Sequence, residues 1–110
     1  MPGRRVVRAP AFLEAAHRLF PDQPAEGAPS FALFERGPLR GAEIAFSRNF
    51  EAQREAVDGV GSIRYVTIPP TPVFGPLVIA ACLLLDGTVE IVSVINDAGY
   101  WGMVGDDPAE

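Results

Sequence analysis

Hydrophobic positions change period near the middle of the chain, dividing it into a helical first half and a stranded second half. Arg4–Arg8 is short and β-branched at Val6 and Val7, which predicts a first strand. Pro10 suits the first turn of a helix, where its missing N–H costs nothing. At about 100° per residue, Phe12, Leu13, Ala15, Ala16, Leu19 and Phe20 share one arc while Glu14 and Arg18 lie opposite. The spacing therefore predicts an amphipathic helix over Ala11–Phe20, stopped by Pro21, with a loop over residues 22–29. Ser30 is placed to cap a short helical turn carrying Phe31 and Phe34 and ended by Gly37-Pro38. Beyond it, Leu39, Ala42, Phe46, Phe50, Gln53 and Val57 recur at steps of three and four, which predicts a longer helix closed by Gly59. A hairpin pairing Phe31–Arg36 with Leu39–Phe46 competes, because Ala42, Ile44 and Phe46 also alternate.

From Ser62 the period is two, with Ile63, Tyr65 and Thr67 on one side and Arg64, Val66 and Ile68 on the other. Prolines 69, 70 and 72 end that strand. Leu77–Leu85 and Thr88–Ile95 flank Asp86-Gly87, a strong hairpin signal. A two-residue turn there sets Leu85 opposite Thr88, Leu83 opposite Glu90, Ala81 opposite Val92 and Ile79 opposite Val94. One hairpin face then carries the small residues Ala80, Cys82 and Ser93, open to close approach by a helix. The other carries Leu77, Ile79, Leu83, Leu85, Val92 and Val94. Neither face is polar, so the second, larger-residue face is expected to meet a partner, joined by Tyr100 and Trp101 after the last strand. The predicted class is α+β: a short N-terminal strand, one to three helices and a three-strand antiparallel meander. It forms a single domain over residues 1–105 with an acidic tail at 106–110.

Charge bears on the choice of partner. Nine arginines and no lysine stand against fourteen acids, a net charge of −5, and all nine bases precede Tyr65. The stranded half supplies no basic face, which argues against nucleic acid and against a membrane surface. The apolar run Leu77–Leu85 is far shorter than the roughly 20 residues of a membrane span. A lone Cys82 excludes an intrachain disulfide and favours a reducing, cytoplasmic setting. No paired histidines or cysteines fall at metal-ligand spacing, and no phosphate-binding loop is present, so neither metal nor cofactor is expected. His17 reads as a solvated helix residue, and Arg48 and Arg54 fall two turns apart on the expected long helix.

The order of elements resembles the RelE/ParE-like toxins of bacterial type II toxin–antitoxin systems. The stretches that carry the resemblance are Arg5–Leu13, Gly61–Tyr65, Gly87–Val94, and Asn96-Asp97 followed by Tyr100-Trp101. In the ribonuclease branch, basic side chains on the sheet and a C-terminal tyrosine act on ribosome-bound mRNA; Arg64 and Tyr100 match those roles. The gyrase-poisoning branch needs no catalytic residues and fits an acidic chain better. The resemblance thus implies a noncatalytic protein-binding module whose sheet face is covered by an antitoxin-like protein or by a second copy. An mRNA-cleaving ribonuclease and a small homodimeric or immunity-type binding domain are the alternatives.

Overall fold

The computed structural model describes residues 3–96. The first strand, β1 (Val6–Arg8), leads through Ala9 into α1 (Pro10–Leu19), with Pro10 at its first turn as its fixed φ favours. After the loop, the Ser30 hydroxyl caps α2 (Phe31–Phe34) by accepting the Leu33 N–H. Here the chain departs from expectation. Gly37-Pro38 does not end the helix; backbone stays helical through a widened π turn, Glu35–Leu39, into α3 (Arg40–Asn49). Pro38 supplies the reason, since its ring crowds the carbonyl four residues back and it has no N–H to donate. An extra residue in the turn relieves both.

The long helix also stops earlier than the three-and-four spacing predicts. After Asn49 a 3₁₀ turn, Phe50–Ala52, turns the chain into β2 (Arg54–Val57), which pairs antiparallel with β3 (Val60–Ile68). Val57 faces Val60 across Asp58-Gly59, and Gly59 has φ +84°, so this glycine serves a tight hairpin rather than a helix end. The hairpin alternative for Phe31–Phe46 is excluded by the same helices.

β4 (Leu77–Leu83) and β5 (Val89–Asn96) complete a five-stranded mixed sheet in the order β1-β5-β4-β3-β2. The antiparallel run thus has four strands rather than three, and β1 joins it parallel to β5. The Asp86-Gly87 hairpin forms, but its turn holds three residues. Leu84 donates to the Thr88 carbonyl and accepts from the Gly87 N–H, Gly87 sits at φ +90°, and Asp86 accepts the Thr88 N–H. Register near the turn is therefore one residue off the two-residue expectation: Leu83 faces Val89 and Ala81 faces Ile91. A bulge at Val92 absorbs the offset, and beyond it Ile79 faces Val94 as expected.

Both long helical segments lie on one face of this sheet. All seven phenylalanines are buried there, six from the helices and their ends and Phe74 from the connector before β4. They pack on Leu77, Ile79, Ala81, Val89, Ile91 and Val94. The bulge matters here, because it turns Val94 to the same side as Val89 and Ile91.

Candidate functional site

The register decides which residues a partner meets, and it inverts the expectation. Leu77, Ile79 and Val94, expected on the partner face, are enclosed in the protein's own core. Leu83 and Val92 are half-buried at its margin, and Leu85 projects freely from the turn. Tyr100 and Trp101 lie outside the described residues. Helices rich in phenylalanine bring their own bulk and settle on the face of large aliphatic residues. The small-residue face, expected to receive a helix, has none on it among the described residues.

That helix-free face is built by alternation along the paired strands. Val78, Ala80 and Cys82 of β4 point to it, flanked by Ile63, Tyr65 and Thr67 of β3 and by Ser93 and Ile95 of β5. Val7 of β1, opposite Glu90, and Arg54 of β2, opposite Tyr65, extend it to the edges. Around Ala80 and Ser93 it is small and uncharged; Glu90 stands beside Cys82, and larger aliphatic and aromatic groups stand around that centre. Ile95 is 53% exposed, well above ordinary values for an isoleucine in a central strand.

Arg64, the basic residue of the ribonuclease expectation, points the other way. Its Nε donates to the Gly61 carbonyl at 2.9 Å, and its Nη1 to the carbonyls of Glu51 and Gln53 at 3.0 and 2.8 Å. Nη2 lies 3.7 Å from the Glu55 carboxylate, and the guanidinium sits over the Phe50 ring. With its side chain only 14% exposed, Arg64 clamps the helix-to-β2 crossing onto β3. Arg48 and Arg54 occupy α3 and β2, so the expected two-turn pair on one helix does not exist. His17 stacks on Phe31, with ring centroids 3.9 Å apart, and its Nδ1 lies 3.4 Å from Asp22.

Three features escaped the sequence pattern. Arg8 of β1 reaches the carboxylates of Glu43 (2.8 Å), in α3, and Glu35 (2.5 Å), the first residue of the π turn. The Glu43 hydrogen bond, with Glu35 in support, outweighs burial and raises the Arg8 pKa. Second, β2 pairs with β3 only as far as Tyr65, leaving Val66–Ile68 without a strand partner on that side among the described residues. A groove of about 510 Å³ runs between this open edge and Gly41, Ala42 and Ala45 of α3. Third, a shallower cleft of about 290 Å³ between β1 and α3 carries Arg4, Arg40 and Arg48. Arg4 is committed to Glu51, whose carboxyl is held below its ordinary range by its own backbone amide and then by Arg4.

Among the described residues, no three His, Cys, Asp or Glu side chains gather to hold a metal ion, and no helix is long and apolar enough to cross a membrane. Comparison of the chain with family models, with curated proteins and with solved structures finds no match.

Proposed function

We propose that this chain is a noncatalytic, toxin-like protein-binding module of a bacterial toxin–antitoxin pair, acting through the helix-free face of its sheet. The observation that carries the reading is that face itself. A five-stranded sheet roofed on one side turns an apolar, small-centred surface outward on the other, and apolar surface of this extent in a small domain marks an interaction site. The engagement of the Arg64 Nε and Nη1 in hydrogen bonds to three backbone carbonyls, with Nη2 beside Glu55, supports the noncatalytic branch of the resemblance over mRNA cleavage.

The test is induced expression in a bacterial host of the natural chain and of Ala80→Arg, which plants a charge at the centre of the face. The natural chain is expected to arrest growth while bulk mRNA stays intact, and Ala80→Arg to lift the arrest at equal protein level. Harmless expression of the natural chain overturns the toxin-like reading. Arrest accompanied by mRNA cleavage overturns the noncatalytic one.

A further inference from the structure

Resting on that reading of the face as a docking surface, we propose that its occupant is a second copy of this chain. The two copies pack sheet to sheet about a twofold axis running along the strands between β3 and β4.

Area is the first consideration. Three strands of seven to nine residues and two of three and four, about 4.8 Å apart and at about 3.3 Å per residue, present roughly 500 Å². Two copies bury about 1,000 Å² together, at the lower limit for a specific interface. The pair is therefore expected to be a reversible dimer in the micromolar range.

Surface texture is the second. A twofold interface must be complementary to itself. Ala80, Cys82 and Ser93 keep the centre low, so two such sheets approach to the usual spacing of about 10 Å while Ile63, Tyr65 and Ile95 interdigitate around it.

Charge then selects a copy of the same chain over an unrelated protein. The paired strands place two charged side chains on this face, Glu90 on β5 and Arg54 on β2, and neither has an ion pair within the described residues. These two charges are opposite in sign and cancel, so the paired strands leave no net charge on this face to oppose the approach. An axis between β3 and β4 exchanges β5 with β2 across the interface. Glu90 of each copy then falls within about two residues, roughly 7 Å along the strand, of Arg54 on the other. An extended arginine spans that gap, and symmetry makes the pair twice.

The experiment is sedentation-equilibrium and light-scattering measurement of the full chain over low to high micromolar concentrations. Glu90→Arg, Arg54→Glu, the double swap and Ala80→Arg are compared, with circular dichroism as the check on folding. The natural chain is expected to dimerise. Each single reversal, which breaks two pairs and opposes like charges, is expected to weaken the dimer about tenfold. The double swap is expected to restore it, and Ala80→Arg to leave a folded monomer. A dimer untouched by Glu90→Arg and by Ala80→Arg overturns both the copy-to-copy proposal and the use of this face. A monomer at high micromolar concentration overturns the copy-to-copy proposal alone if Cys82 reacts freely with a thiol reagent and Ala80→Arg still lifts growth arrest, since the face then serves another protein. A monomer whose Cys82 is shielded overturns both.

Discussion

Two neighbouring alanines on β4 point to opposite sides of one sheet and meet opposite fates. Ala81 lies under the phenylalanines of the helices, fully enclosed, whereas Ala80 lies on the face with no helix above it among the described residues. Among the described residues, every phenylalanine lies on the first side, and the second keeps mostly small and aliphatic groups, with Tyr65, Glu90 and Arg54 among them. Stability is therefore concentrated on one face, and recognition is assigned to the other. Substitutions on the two sides should separate accordingly.

The largest effect is expected on the covered side. Phe46→Ala removes a fully buried ring between α3 and the sheet, and should lower unfolding free energy by about 3–5 kcal/mol in a denaturant titration. A loss under about 1 kcal/mol would mean the helices do not rest on the sheet as described. Next comes Arg64→Ala, which leaves three carbonyls without their donor and Glu55 without its ion-pair partner, at an expected cost of about 2–4 kcal/mol. Arg64→Lys should recover only a small part of it, because an ammonium lacks the planar fork that serves several carbonyls at once. Unchanged stability with lost biological effect would instead make Arg64 a functional group.

Smaller effects belong to the turn between β4 and β5. Gly87→Ala puts a side chain at φ +90° and should cost about 1–2 kcal/mol. Asp86→Asn should change little at neutral pH, since an amide oxygen also accepts the Thr88 N–H. The difference is confined to acid. The Thr88 N–H holds the Asp86 carboxyl below its ordinary value of 3.8, so its contribution is complete above that value and is lost as pH falls through the folded-state pKa. Melting temperatures of the natural chain and Asp86→Asn should therefore coincide near neutral pH and separate as the pH drops below about 4, the natural chain falling below the variant. A constant gap across pH 2–7 would show that the carboxylate does not act through this bond.

The sequence pattern is legible where a single local rule decides the outcome. Pro10 and the arc from Phe12 to Phe20 locate α1, and Asp86-Gly87 locates the last hairpin. It misleads where two rules conflict. Asp58-Gly59 is the same dipeptide as Asp86-Gly87, yet the three-and-four spacing from Leu39 to Val57 hides it. Pairing of β2 along β3 wins over that helical pattern. Pro38 reads as a stop because proline usually is one, and only a widened turn, braced by Arg8 across Glu35 and Glu43, lets the helix continue. The candidate face is missed for a subtler reason. Alternation identifies two apolar faces, but a three-residue turn and a one-residue bulge decide which residues share them, and seven phenylalanines decide which one is covered.

The most direct test compares Ala80→Arg with Ala81→Arg by thermal unfolding and light scattering. Ala81→Arg should fail to fold. Ala80→Arg should keep the natural chain's stability within about 0.5 kcal/mol and lose its self-association. Unfolding of Ala80→Arg, or its undiminished self-association, would contradict the division of labour between the two faces.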